Sequence, residues 1–409
     1  MLNAIWLGFF LLALAVALFK TLVLGQPDVF VTMMKASFDT SKTAFEIALG
    51  LTGVMTLWLG IMKIAEHGGF LNLLTRALTP LFARLFPEVP RNHPALGSIT
   101  MNMSANMLGL DNAATPVGLK AMQELQTLNP KPDTATNAQI LFLVINASSV
   151  TIFPITIFTY RAQSGAIDPT DVFIPILIAT YASTMAGLIA TAMVQKINLL
   201  DRVIVAYLGA ITGLLGLLVW YFTRLPSAEM LRQSALLSNI TLFMLIMIFL
   251  VGAALRKVNV YNAFIEGAKE GFQVAIGIIP YLVAMLVAIG VFRASGALDM
   301  LLDAARSLAR YAGWDTRFVE GLPTAFMKPL SGSGSRAMMI ETMQAHGADS
   351  FAGRLASVIQ GSTETTFYVL AVYFGSVAIK FARHAVACAL IADAAGIATA
   401  ILVTYWFFG

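Results

Sequence analysis

The stretch VINASSVTIFP, residues 144–154, is answered by VIQGSTETTFY, residues 358–368. In each, two apolar residues lead into a side-chain amide, Asn146 or Gln360, and a run of hydroxyls follows. Ser148 pairs with Ser362, Thr151 with Thr365 and Phe153 with Phe367. Within an apolar segment such a polar run is costly, because lipid offers no hydrogen bonds and every polar group must be satisfied by protein or a wet cavity. Its occurrence twice marks it as a built feature.

The match extends over the chain. TAFEIALGL around Phe45 pairs with EGFQVAIGI around Phe272, and HGGFLNLL near Gly69 pairs with ASGALDML near Gly296. LKAMQELQ, ending at Gln126, pairs with IETMQAHG, starting at Ile340. These correspondences divide the chain into a first repeat, 1–200, a linking transmembrane helix, 201–230, and a second repeat, 231–409.

Composition places the repeats in a bilayer. Hydrophobic residues make up 58% of the chain and charged residues 12%, against about 25% charged in soluble domains. A spanning helix needs about 20 mostly apolar residues. Nine segments meet or approach this: 3–24, 44–63, 138–160, 172–195, 203–223, 235–255, 272–292, 355–379 and 384–408. Trp6, Trp220 and Trp406 lie near segment ends, as headgroup-level aromatics do. The first segment lacks a basic leader and a small-residue cleavage site, so it reads as a retained helix.

Two regions interrupt the rhythm, 64–137 and 293–354. Each opens with an amphipathic stretch, Phe70 to Leu85 and Ala297 to Tyr311. Each then holds a polar, small-residue segment, SITMNMSANMLGLDNAATP from Ser98 and LPTAFMKPLSGSGSR from Leu322. If these regions do not cross the membrane, each repeat crosses four times and the linking helix inverts the second copy. If each crosses once, the copies are parallel. Lys and Arg are nearly balanced on the two sides under the first arrangement, as an inverted pair would have them, but they do not fix orientation. The expected fold is an all-α integral membrane protein of two pseudosymmetric, inverted repeats with re-entrant or broken helices, an arrangement typical of secondary transporters.

The polar positions are the candidate site. Asn102, Asn106, Asn146 and Ser148 come from the first repeat, and Ser331, Ser333, Gln360, Thr363 and Glu364 from the second. Gly332 and Gly334 permit a tight turn with exposed amides, which attract anionic groups. On one continuous helix, Gln360, Glu364 and either Phe367 or Tyr368 would share a face. A carboxylate within a membrane usually faces a pathway. Glu364 and Asp393 are therefore the candidates for ion or proton coupling, with Val150 at the Glu364 position and Thr184 near that of Asp393 in the first repeat. Lys328 and Arg336 could contact an anion, balance Glu364 or reach the interface. The plainer alternative for single hydroxyls is helix-to-helix hydrogen bonding. Pro154 frees a backbone carbonyl one turn earlier.

Other classes lack a footprint. Net charge is +4, with no basic stripe for nucleic acid. Cys388 is the sole cysteine, and His67, His93, His346 and His384 show no ligand spacing, so neither metal nor cofactor is expected. No H-E-x-x-H, Walker A or G-x-S-x-G sequence occurs. Ser331 and Lys328 make only a weak serine–lysine dyad in so Gly-Ser-rich a segment. A gradient-driven carrier or passive channel is expected rather than an enzyme or a pump with its own ATP site.

TAFEIALGLTGVMTLWLGIMKIAEHGG, residues 43–69, resembles spore maturation protein A. AFIEGAKEGFQVAIGIIPYLVAMLVAIGVFRASGALD, residues 263–299, resembles spore maturation protein B. The chain thus resembles a natural fusion of the two, each repeat carrying a nucleoside-recognition, or Gate, domain similar to parts of concentrative nucleoside transporters and of a ferrous-iron transporter. The Gln-Thr-Glu-type motif of concentrative nucleoside transporters is similar in type to residues 361–365, which implies a nucleoside-like solute held at Gln360, Thr363 and Glu364, while related Gate-domain proteins imply a heterocyclic or carboxylate solute. The resemblance also implies a multi-pass protein of the bacterial cytoplasmic (inner) membrane. Its partners would be a small-molecule solute and lipid, with no nucleic acid, and a homo-oligomer is left open. The competing function is a non-transporting scaffold in envelope or spore maturation.

Overall fold

Hydrophobic runs of this length satisfy their backbone internally, and the result is helix throughout. The computed structural model describes residues 2–109, 111–149 and 151–409; the side chains at 2–4, 111–113 and 227–228 are not described. Leu110 and Val150 lie outside the described residues, and so does the expected place of Val150 opposite Glu364. Among the described residues there is no strand beyond one isolated bridge, Thr134 to Phe381.

In chain order the helices begin with α1 (Leu2–Leu24), α2 (Asp28–His67), α3 (Phe70–Leu85), α4 (Pro94–Leu108), α5 (Asp111–Gln126) and α6 (Asn137–Ala147). Next come α7 (Ile155–Gln163), α8 (Phe173–Gln195), α9 (Arg202–Thr223), α10 (Ser227–Leu255), α11 (Val260–Ala294) and α12 (Ala297–Tyr311). A short 3₁₀ turn (Arg317–Gly321) leads to α13 (Leu322–Met327), α14 (Gly332–His346), α15 (Phe351–Ser362), α16 (Thr366–Gly375) and α17 (Ala385–Phe408).

Among the described residues seven helices are long and apolar enough to cross a membrane: α1, α2, α8, α9, α10, α11 and α17. The sequence gives nine such segments, and two of them are corrected here. The segment at 138–160 is α6 and α7 with a break between, and that at 355–379 is α15 and α16 with a break between. None of these four helices exceeds 12 residues, or about 18 Å at 1.5 Å per residue, too short for a hydrocarbon layer of about 30 Å. The segments at 44–63 and 272–292 are instead the cores of longer helices of 40 and 35 residues.

The first break has a local cause. Pro154 stands immediately before α7, and Ser149 takes a left-handed conformation with φ 57°. In the second break, Thr363, Glu364 and Thr365 are flanked by Ser362 and Thr366. Among the described residues the Thr363 and Thr365 hydroxyls bond to nothing, and the Glu364 amide leaves the helical ladder for the Ala147 carbonyl.

The interrupted regions are helical hairpins, α4 with α5 and α13 with α14. The amphipathic stretches before them are α3 and α12, each starting after a left-handed glycine, Gly69 at φ 70° and Gly296 at φ 84°. A side chain would strain that conformation, so glycine sets where each helix begins.

The chain forms two compact units. The first comprises residues 1–59, 156–169 and 268–360, and the second 60–155, 170–267 and 361–409. Each unit takes chain from both sequence halves. The core of the first joins Ala13, Ala17, Val29 and Met33 to Phe292, Leu298 and Leu302; Trp6, rather than serving only the interface, donates its indole N–H to the Ala284 carbonyl at 3.0 Å. The core of the second gathers Leu81, Phe86, Ile99, Met122, Phe142 and Cys388.

In the second unit, α8 packs against α17 through small residues four apart, Ser183 and Gly187 against Ala392 and Gly396. A methyl group added at Gly187 would lie 3.0 Å from Ala392 Cβ, and one at Gly396 would lie 2.9 Å from Ser183 Cβ. In lipid, where apolar burial does not drive helix association, such small-residue contact does.

Candidate functional site

The second unit holds a buried amide cluster. The α4–α5 hairpin is laced across its arms by Asn102, whose Nδ2 donates to the Ala114 carbonyl at 2.7 Å. One turn on, Asn106 Nδ2 donates to Asn146 Oδ1 at 2.9 Å, which ties the hairpin to the end of α6. Tyr373 on α16 donates its hydroxyl to the same oxygen at 3.3 Å, and Asn146 Nδ2 returns a bond to the Phe142 carbonyl at 2.8 Å. The hairpin tip also meets the break after α6. The Ile152 amide donates to the Met107 carbonyl at 3.1 Å, and a side chain at Gly109 would lie 2.9 Å from the Phe153 carbonyl oxygen.

Both breaks meet in this unit. The Glu364 amide donates to the Ala147 carbonyl at 2.8 Å, the C-terminal carbonyl of α6. That bond satisfies a group that an unbroken helix would have paired internally. Thr363 and Thr365 are buried on either side, whereas the Glu364 side chain is exposed. Behind the break, Thr366 donates to the carboxylate of Asp393 at 2.7 Å, and Asp393 is buried in α17. Ser148 bonds to the Ile145 carbonyl at 2.9 Å and to Thr184 at 3.3 Å. Thr363 lies against Gly396, and its buried hydroxyl has no partner among the described residues.

The first unit repeats the design with other groups. Ser335 on α14 donates to the Thr324 carbonyl of α13 at 3.1 Å and to Gln360 Oε1 at 2.5 Å. In the repeat alignment Gln360 stands opposite Asn146 and Ser335 opposite Ala114. The same two links thus recur: arm to arm, and hairpin to amide. Ser331 caps α14 by accepting from the Gly334 amide at 3.0 Å, and it bonds to Ser333 at 3.3 Å. That hydroxyl is committed to capping, which weakens any nucleophilic role. Lys328 is buried at the end of α13, and the Arg336 guanidinium lies 5.8 Å from the centre of the Tyr160 ring.

Some expected groupings do not form. Since α15 ends at Ser362, Gln360, Glu364 and Phe367 or Tyr368 share no continuous helical face: Gln360 is buried within the helix, and Glu364 lies in the break. Ser331 and Ser333 bond to each other, while the hydroxyl that reaches Gln360 is that of Ser335. Ser335 and Tyr373 were missed by the sequence reading. The first could have been found from its place in the same Gly-Ser run; nothing local marks the second.

Comparison with known proteins now identifies the design. A family model described as nucleoside recognition (Gate) matches residues 48–164 and 275–380. The chain belongs to this family. The two matched stretches contain both hairpins and both broken helices. The chain is similar to spore maturation protein A of Bacillus subtilis, with 36% identity over 189 residues, covering 46% of this chain and 93% of that protein. It is also similar to spore maturation protein B of the same organism, with 46% identity over 160 residues, covering 39% of this chain and 88% of that protein. No solved structure matches. The Gate-family protein described here is a multi-pass membrane protein with two Gate regions.

Proposed function

We propose that this protein is a secondary transporter or channel-like carrier for a small polar solute, nucleoside-like, heterocyclic or carboxylate, in the bacterial inner membrane. The observation that carries this reading is the junction of the breaks. The Glu364 amide is fixed on the Ala147 carbonyl, while its carboxylate stays accessible between two buried threonines. An exposed acidic side chain in the break of a helix, its carboxylate accepting, among the described residues, only from the Thr365 amide at 3.3 Å, supports a ligand-facing role over a place in the core.

In this reading Asn102, Asn106, Asn146, Ser148, Thr363 and Glu364 serve the solute in one unit, and Ser331, Ser333 and Gln360 in the other. Asp393 and Glu364 are the groups for ion or proton coupling, and Lys328 and Arg336 those for an anionic moiety. The repeats, 1–200 and 231–409 about a linker at 201–230, are inverted in this scheme, each providing one gate.

The test is uptake into proteoliposomes from a panel of nucleosides, nucleobases and dicarboxylates including dipicolinate, compared between the native chain and Glu364→Gln. Uptake of one class that is lost in the variant, with unchanged thermal stability, is expected. Equal uptake by both would overturn the assignment of Glu364. Absence of uptake of any class would favour the scaffold reading, in accord with the names of the two relatives.

A further inference from the structure

The second unit carries a basic cavity remote in sequence from the Asn146 cluster. It measures about 150 Å³ and is lined by Gly69, Asn72, Leu73, Arg76 and Arg256. We propose that it binds a phosphate group, supplied by the headgroup of an anionic membrane lipid.

The cavity forms where two spanning helices end. α2 stops at His67, and α10 stops at Leu255, immediately before Arg256. Left-handed Gly69 then starts α3, whose first turn has no side-chain cap, so its amides are left without that intrahelical or side-chain acceptor. Arg256 lies directly against Gly69. It donates to the Gly68 carbonyl, and its guanidinium lies 5.9 Å from the centre of the Phe70 ring. A side chain at position 69 would collide with that guanidinium. Glycine therefore does two things here: it allows the turn, and it lets the cation approach the helix start.

Asn72 and Arg76 follow one turn apart on α3, so they share a face. Both are exposed, and neither has a hydrogen-bond or ion-pair partner among the described residues. The nearby carboxylates do not neutralise the cavity. Glu66 is held by Lys63 at 3.3 Å, and Glu266 by Lys63 at 3.4 Å and by His67 at 3.7 Å. Two guanidiniums, one amide side chain and an uncapped helix start suit a phosphate, which guanidinium binds through paired N–H donors.

Exposed apolar surface beside the charges points to a lipid as the source. Leu73 lines the cavity and is exposed, and Val251 and Leu255 expose apolar surface on the adjoining α10. A headgroup phosphate sits at the depth where spanning helices end, and basic pockets between them hold such groups. This site stands apart from the proposed transport reading and does not depend on it.

The test is the melting temperature of the purified full chain in neutral detergent, with added phosphatidylglycerol, phosphatidylcholine or inorganic phosphate, for the native protein, Arg76→Gln and Arg76→Lys. Because Arg76 is exposed, the variants should melt like the native protein when no lipid is added. Phosphatidylglycerol should raise the native melting temperature, phosphatidylcholine should not, and Arg76→Gln should need about tenfold more lipid, as expected for one lost charge-assisted hydrogen bond. Arg76→Lys should fall between. An Arg76-dependent shift with inorganic phosphate and none with phosphatidylglycerol would overturn the lipid source. Equal shifts with both lipids, indifferent to Arg76, would overturn the site.

Discussion

Replacing Asn146 by alanine tests whether the amide cluster holds the α4–α5 hairpin onto the broken helix. The substitution removes one oxygen that accepts from both Asn106 and Tyr373. In a water-soluble core, the buried Tyr373 hydroxyl left without this acceptor would cost about 1–3 kcal/mol, and the half-buried Asn106 amide, which keeps Asn102 Oδ1 at 3.4 Å, less. In lipid the unfolded reference also finds partners, and hydrogen bonds between helices average about 0.6 kcal/mol, with a maximum of about 1.7. The lipid value governs here, so Asn146→Ala should destabilise by about 1–3 kcal/mol for the two bonds together. Reversible unfolding in mixed detergent micelles measures this. A double-mutant cycle with Asn106→Ala isolates one bond, and its coupling should be about 0.6–1.7 kcal/mol. Coupling below about 0.3 kcal/mol would refute the reasoning, because the 2.9 Å contact would then contribute nothing to holding the hairpin.

Gly396→Ala places a methyl 2.6 Å from Thr363 Cγ2 and 2.9 Å from Ser183 Cβ, so it should destabilise by about 1–3 kcal/mol, as overpacking does. Gly213→Ala in α9, where a methyl meets nothing within 4 Å, should instead stabilise by up to about 1 kcal/mol; thermal melts that rank the two the other way would contradict the packing described. At the start of α17, burial, with the Arg383 charge second, holds the His384 imidazole below its ordinary value. Neutral His384 lies 3.0 Å from the Gln195 amide nitrogen, and its stabilisation should be lost as pH falls from about 6.5 through the lowered folded value. The melting temperature of His384→Gln should depend less on pH over that window, and an unchanged dependence would assign it elsewhere.

The long-period features were legible because they are written locally. The amphipathic helices run from Phe70 to Leu85 and from Ala297 to Tyr311 in the structure as in the sequence, since a left-handed glycine starts each and the apolar period runs on from it. The paired amides Asn146 and Gln360 were also visible, and both accept a hydrogen bond from a hairpin. The breaks in 138–160 and 355–379 were not, because mean apolarity there is that of a span. Partners decide them: the Ile152 amide finds Met107, and the Glu364 amide finds Ala147. Tyr373 was hidden for the same reason, its acceptor Asn146 being 227 residues away. In the α6–α7 region Pro154 gave a cue, whereas nothing in the sequence around Thr363 marked the end of α15.

The interleaving of the chain sets a schedule for its synthesis. Residues 1–59 belong to a unit that is completed by residues 268–360. At a translation rate of about 5–20 residues per second, the roughly 200 residues between them take about 10–40 s to emerge. For that interval α1 and most of α2 are in the bilayer without Phe292, Leu298 and Leu302, the side chains that complete their core. The insertion machinery or the lipid itself must shelter Ala13, Ala17 and Met33 until then. A chain cut in the loop between α9 and α10 would yield two fragments, neither of which contains a whole unit.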